Sequence, residues 1–186
     1  MSKIEPREFV LKDGRRGVIR RAEEADTEGF LKQIISVLEE AEYTITTYPE
    51  DGVDFTVEKE KEWIKNHMEG DGKLLVVAEV DGEIVGSVDM GNGERKRIQH
   101  VGTVGITVLK DFRGLGVGKA LMESVIEWAS KHSVIEKIGL EVFSNNAGAI
   151  NLYKKLGFVE EGRKLKGVKI GPDDYLDSIL MYKFVK

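Results

Sequence analysis

Seven consecutive residues, Arg113-Gly114-Leu115-Gly116-Val117-Gly118-Lys119, separate a β-branched stretch from an amphipathic one. Alternate glycines let the main chain approach a ligand closely, and a helix starting there adds the positive end of its dipole. The turn is therefore suited to hold an anion on backbone N–H groups. Two phosphate loops do not fit it. A dinucleotide fingerprint beginning at Gly114 needs glycine at its sixth position, where Lys119 stands, and a nucleotide-hydrolase loop needs a hydroxyl where Ala120 follows Gly118-Lys119. What is left is a cradle for a diphosphate held without a metal, or a plain tight strand-to-helix connection. Downstream, Asn146 through Phe158 offers a helix cap at Asn146 and a tyrosine, Tyr153, on the apolar face shared by Ala149 and Leu156. By position alone Tyr153 is a core residue. A phenol with a pKa of about 10 nonetheless stays protonated at neutral pH and can serve as an acid. His100, Asp89 and Glu141 are the side chains that could accept a proton, and their spacing singles out none of them; a structural role is the simpler reading of His100.

The elements that must position these groups follow from periodicity. Gly17 to Arg21 reads as a strand, then Phe30, Leu31, Ile34, Ile35 and Leu38 recur at helical steps until about Ala41. Glu42 to Phe55, with Pro49 and Gly52, has no period and reads as a mobile connector, and a second helix runs from Thr56 through Trp63, Ile64 and His67. Leu74 to Val80 and Glu83 to Val88 flank Asp81-Gly82, which predicts an antiparallel hairpin on a type I′ turn. Gln99 to Leu109 is a long strand whose Gly102 and Gly105 suggest a bulge or a close approach. After the glycine turn come a helix with Leu121, Val125, Trp128 and Ala129 on one face, a strand at Lys137 to Phe143, a short helix at Ala147 to Leu156, and a closing hairpin of Val159 to Val168 and Tyr175 to Val185. The order β-α-α-β-β-β-α-β-α-β-β predicts an α/β fold: a mixed, mostly antiparallel sheet of about seven strands with helices on both faces. The crossover through the glycine turn makes the strands at Gln99–Leu109 and Lys137–Phe143 parallel, and ligands bind at the carboxyl ends of such strands.

Composition bounds the function. The 186 residues suit one domain, 1–186, with a single core. Lys+Arg 28 against Asp+Glu 33 gives a net charge of −5, which speaks against nucleic acid as the main partner. Cysteine is absent, so no disulfide, thiolate metal site or acyl-cysteine intermediate is available. Met1 to Val10 is charged, without an apolar signal region, and no run approaches the roughly 18 apolar residues of a membrane span, so the expected location is cytoplasmic.

The segments Thr107 to Gly118 and Asn146 to Phe158, in that order and spacing, resemble motifs A and B of the GCN5-related N-acetyltransferase (GNAT) superfamily. The likeness runs from about Gln99 to Tyr182 and is nearest to bacterial amino-acid N-acyltransferases and ribosomal-protein N-terminal acetyltransferases; His100 to Ile106 and Gly162 to Met181 fit that subgroup, and the first 70 residues carry little of it. The resemblance implies acetyl-CoA as cosubstrate, with no metal, and an amine acceptor as partner. Its pyrophosphate would sit on Arg113, Gly114, Leu115, Gly116, Val117, Gly118 and Lys119, helped by the Arg113 side chain. Ile106, Thr107 and Val108 would pair with the pantetheine arm as an added strand, the parallel pair splaying just beyond. The Val108 N–H would face the thioester oxygen as oxyanion donor. Asn146 would contact the cofactor while capping its helix, and Tyr153 would protonate the departing thiolate. The implied reaction is direct attack of a neutral amine through a tetrahedral intermediate. An amino acid or other small amine, a protein N-terminus, and a non-catalytic acyl-CoA-binding module all stay open. Acidic residues Glu39, Glu40, Glu42, Glu50, Asp51 and Asp54 crowd the acceptor region, as a solvated face or as a lure for a cationic amine. Relatives are commonly homodimers, an analogy that extends to this chain's strand-rich C-terminus.

Overall fold

A computed structural model of the chain describes residues 4–47 and 49–186; Met1, Ser2 and Lys3 of the charged N-terminal stretch and Tyr48 of the connector lie outside the described residues. Eight strands form one sheet: β1 (Arg7–Val10), β2 (Arg16–Arg21), β3 (Leu74–Val80), β4 (Glu83–Asn92), β5 (Val101–Val108), β6 (Lys137–Phe143), β7 (Val159–Lys169) and β8 (Tyr175–Phe184). Four α-helices accompany them: α1 (Thr27–Glu39), α2 (Val57–Glu69), α3 (Val117–Lys131) and α4 (Ala147–Lys155). The spatial order is β1-β2-β3-β4-β5-β6-β8-β7, and among the described residues the only parallel neighbours are β5 and β6.

Alternation along β3 divides the interior in two. Leu74, Val76, Ala78 and Val80 enter the larger core with Leu121, Val125, Trp128 and Ala129 of α3 and Tyr153 of α4. Leu75 and Val77 face the other way, onto Phe30 of α1 and Ile64 of α2. A sheet buried on both faces needs uninterrupted apolar runs, which is what Leu74 to Ala78 supplies. The β3–β4 turn has both central residues at positive φ, Asp81 at 52° and Gly82 at 82°, as a type I′ hairpin requires. α2 starts at Thr56, whose side chain accepts from the Lys59 N–H.

Three features depart from the sequence expectation. β1 is an additional strand, bringing the sheet to eight; it is short, mostly exposed and at the edge, so its residues carry no period to read. The inward stripe of α1 is rotated: Gln33 and Val37 are buried with Phe30 and Leu38, while Leu31, Ile34 and Ile35 are half-buried. No bulge interrupts β5, whose register with β4 is continuous from Gly86↔Val108 to Asn92↔Gly102. Its glycines instead make room for side chains of β4, because a Cβ at Gly102 would lie 2.8 Å from the Met90 sulfur and one at Gly105 2.7 Å from an Asp89 carboxylate oxygen.

Candidate active site

The main-chain groups of β5 alternate between its two neighbours. Leu109 N–H donates to the Val85 carbonyl of β4 at 2.9 Å, and the Val101 carbonyl accepts from Gly93 N–H at 3.3 Å. Odd-numbered residues therefore serve β4, and even-numbered ones turn toward β6. Pairing with β6 covers only Val101↔Lys137, Gly102↔Ile138 and Thr103↔Gly139, while β6 stays paired with β8 as far as Phe143↔Ser178. The parallel pair thus opens after Thr103, earlier than the Val108 level implied by the resemblance. The edge of β5 carrying Val104, Ile106 and Val108 faces the resulting slot without a β6 partner. Thr107 departs from expectation: its main chain lies opposite Ser87 of β4, so it is unable to pair with a chain entering the slot.

The slot leads to the glycine turn. Gly114 and Gly116 have φ of 75° and 105°, and Gly116 is the left-handed residue from which α3 starts. Ala120 N–H is bonded to the Gly116 carbonyl at 3.1 Å, so Val117, Gly118 and Lys119 carry N–H groups of an uncapped helix start. A Cβ at Gly116 would meet nothing within 4 Å, whereas one at Gly118 would lie 3.4 Å from Leu152 of α4. Gly118 thereby lets α4 pack close to the start of α3. The Leu115 carbonyl accepts from Lys12 N–H at 3.0 Å, which ties the β1–β2 turn to the loop. The Lys119 ammonium is exposed and lies 3.5 Å from Glu123.

Arg113 differs from expectation as well. Its Nε donates to the Val108 carbonyl at 3.0 Å and its Nη1 to Glu40 at 2.7 Å, with Glu42 at 3.9 Å. The guanidinium thus joins the end of α1 to the end of β5. Of the acidic cluster, Glu40 is bound to Arg113 and Asp54 to Lys59 at 2.8 Å, and Asp51 accepts from Thr47 N–H at 2.7 Å. Asn146 caps α4, its side chain accepting from Ala149 N–H at 3.1 Å.

Tyr153 is 6 % exposed, its ring centroid 5.9 Å from that of Phe158. Burial pushes its phenol up to about 12, so it is neutral at physiological pH. Its hydroxyl bonds to no described residue and is not among the fully enclosed unpaired polar atoms, so it keeps an opening through which a ligand atom can meet it.

The three base candidates separate. Glu141 is held by Lys164 at 2.7 Å, which keeps its carboxyl below the usual range. His100 precedes β5 at the closed end of the parallel pair, where its carbonyl accepts from Glu136 and Lys137 N–H groups. Asp89, on β4, is raised to about 6 by burial. A folded pKa above the unfolded value of 3.8 means that the fold is least burdened below pH 3.8 and loses stability as pH rises through 6, by up to about 3 kcal/mol. Asp89→Asn is accordingly expected to raise the urea midpoint at pH 8 and to leave it nearly unchanged at pH 4.

Sequence reasoning missed a polar cluster beside Asp89. Gln33 of α1 is 1 % exposed; its Nε2 donates to Thr107 Oγ1 at 3.1 Å and its Oε1 accepts from Ser87 Oγ at 3.1 Å, while the two hydroxyls lie 3.0 Å apart. The available signal was a glutamine three residues after Phe30 on the inward stripe of α1. The cluster fixes α1 against the last turn of β4–β5 pairing, next to the slot.

A helix start with free N–H groups, an unpaired strand edge running from it, and an unbonded phenol together suit a ligand with an anionic end and an extended arm. A model of the Acetyltransferase (GNAT) family matches residues 34–158. The chain is 34 % identical over 119 residues to the L-amino acid N-acetyltransferase AaaT of Escherichia coli, covering 64 % of this chain and 73 % of that protein. It is 38 % identical over 104 residues to an N-alpha-acetyltransferase of Sulfurisphaera tokodaii, 50 % of this chain and 61 % of that one. A GNAT-family acetyltransferase structure from Streptococcus pneumoniae superposes with a TM-score of 0.85 at 30 % identity, covering 90 % of this chain and 99 % of the other. The fold is shared with yncA of Salmonella typhimurium, solved with its cofactor acetyl-CoA, at a TM-score of 0.80 and 20 % identity, over 91 % and 94 % of the two chains.

Proposed function

The chain belongs to the GNAT family of acetyltransferases, and on that premise we propose that its 186 residues act as one N-acetyltransferase domain, moving the acetyl group of acetyl-CoA to the primary amine of an amino acid or similar small molecule. The observation that carries this reading is the slot beyond Thr103, because it joins an anion cradle to an open row of strand N–H groups. The pyrophosphate rests on the main chain from Gly114 to Lys119. Arg113 is bonded to Glu40 and to the Val108 carbonyl beside it. The pantetheine arm then pairs with Val108 and Ile106 as β6 would have done. Val108 is the first donor met from the loop, so the thioester end, farther along, comes to the Ile106 and Val104 N–H groups near the closed vertex, where one of them takes the oxyanion.

The amine attacks the carbonyl carbon, the C–S bond breaks, and the thiolate leaves. Complete proton transfer from a phenol near 12 to a thiolate of ordinary pKa about 8.5 is uphill by about 5 kcal/mol. Tyr153 therefore acts chiefly as a hydrogen-bond donor to the departing sulfur. That refines the acid role which the resemblance implies.

Release of CoA thiol is the test, measured with amino acids, polyamines and N-terminal peptides as acceptors. Turnover with free amino acids is expected. Turnover confined to peptides would replace this reading with a protein N-terminal acetyltransferase. Thermal stabilisation by acetyl-CoA without turnover on any acceptor would leave a binding module.

A further inference from the structure

We propose that Asp89 is the general base of this site, accepting the proton that the acceptor amine must lose before it attacks. The inference rests on the acetyltransferase reading above and adds a residue to it. Asp89 and Gly105 are opposite one another in the β4–β5 ladder. The carboxyl group leans across onto β5: a Cβ on Gly105 would be 2.7 Å from Oδ1, 3.4 Å from Cγ and 3.5 Å from Oδ2. It thus occupies the place of a missing side chain, over the residue between Val104 and Ile106, whose N–H groups line the slot. Gly105 is exposed and Asp89 only partly so, which leaves an approach from the α1/α2 side of the sheet. The carboxylate has no hydrogen bond or ion pair with the side chain of any described residue.

A largely buried carboxylate whose one bond is to its own main chain is costly to keep, and burial has brought this one to about 6, where it is ionised at neutral pH yet basic enough to receive a proton. Among the described residues no opposite charge is paired with it. β3 presents Leu75 opposite it, β5 presents Gly105 between Thr103 and Thr107, and β4 presents Ser87 and Gly91. α1 contributes Gln33 and Phe30, and α2 contributes Trp63, Ile64 and Met68. The two arginines of β2, the strand next to β3, have partners of their own. Arg20 is bonded to Asp26 and Glu79, and Arg21 to the His67 and Met68 carbonyls that end α2. His67 bonds the Trp63 carbonyl and is kept neutral by burial, and Glu60 is raised by its own burial.

The proton balance closes. An acceptor arriving as R–NH3+ gives one proton to the Asp89 carboxylate, the freed lone pair forms the C–N bond to give the tetrahedral oxyanion, and its collapse breaks the C–S bond. The second proton on nitrogen passes to the thiolate, and Asp89 returns the first to solvent. The net products are the amide, CoA thiol and one proton.

The test compares wild type with Asp89→Asn and Asp89→Ala on an acceptor that the wild type acetylates, following kcat/KM from pH 5.5 to 9, with acetyl-CoA Kd by titration calorimetry. Expected for both variants are an unchanged Kd and a loss of about fiftyfold at pH 6.5. The loss should shrink to within about fivefold at pH 9, where solution has already deprotonated more of the amine. The wild-type limb near pH 6 should vanish. An equal loss at every pH would show a merely structural residue and overturn the proposal, as would variants as active as wild type. A wild type that acetylates no amine would overturn the acetyltransferase reading itself, and this inference with it.

Discussion

Tyr153→Phe is expected to lower kcat about a hundredfold while leaving acetyl-CoA affinity within about twofold of wild type. Only the hydroxyl is removed. The ring that packs on Phe158 in the larger core stays, and no described residue loses a hydrogen bond, so no buried group is left unsatisfied. Stability at pH 7 should change by less than about 1 kcal/mol. A hundredfold loss corresponds to about 2.7 kcal/mol of transition-state stabilisation, the size of one preorganised donor in a dry site. The pH behaviour is a second readout. Burial raises the phenol from 10 to about 12, so its neutral form contributes fully below pH 10 and that contribution is lost as pH rises through 12. The wild type should therefore be more sensitive than Tyr153→Phe to denaturation between pH 10 and 12. Single-turnover rates, calorimetric Kd and alkaline melts check the three parts. Equal kcat in the two proteins would remove Tyr153 from the reaction.

The elements around this tyrosine were open to sequence reasoning because their signals are local. Asp81-Gly82 names its own turn, and the strand at Lys137–Phe143 and the packed face of α3 follow from runs with one dominant period. What escaped is settled by residues far apart in the chain. Arg113 stands at the head of a glycine loop and reads as a phosphate ligand, yet Glu40, 73 positions earlier, holds it. Gln33 and Ser87 are polar residues within apolar patterns and look like interruptions until folding brings Thr107 between them. Asp89 was visible as a carboxylate on a strand. Its burial, and the vacant side-chain position at Gly105 that it fills, exist only once β4 and β5 are in register. β1 failed for the opposite reason. It is an exposed edge, where Phe9 packs over Gly17 and the other residues are free to be polar.

At the other end of the slot, Gly116→Val should weaken acetyl-CoA binding more than a hundredfold, the largest effect on affinity expected of any single change in the loop. Two costs are combined in that figure, and they can be separated. Gly116 sits at φ 105°, where a β-branched residue is strained by about 1–3 kcal/mol. That strain lowers the stability of the fold whether or not a ligand is present. The second cost arises only on binding. A Cβ at 116 meets no protein atom within 4 Å, because the space beside this helix start is open, and it is the space an anion on the Val117, Gly118 and Lys119 N–H groups would fill. Gly14 provides the control. It lies in the β1–β2 turn at φ 93°, and a Cβ there also meets nothing within 4 Å, so Gly14→Val carries the same backbone strain without standing at the cradle. Both variants should lose comparable stability in urea titrations, and only Gly116→Val should lose acetyl-CoA affinity. Comparable weakening of binding in Gly14→Val would mean that strain transmitted through the Lys12–Leu115 hydrogen bond, rather than obstruction at the helix start, governs the loop.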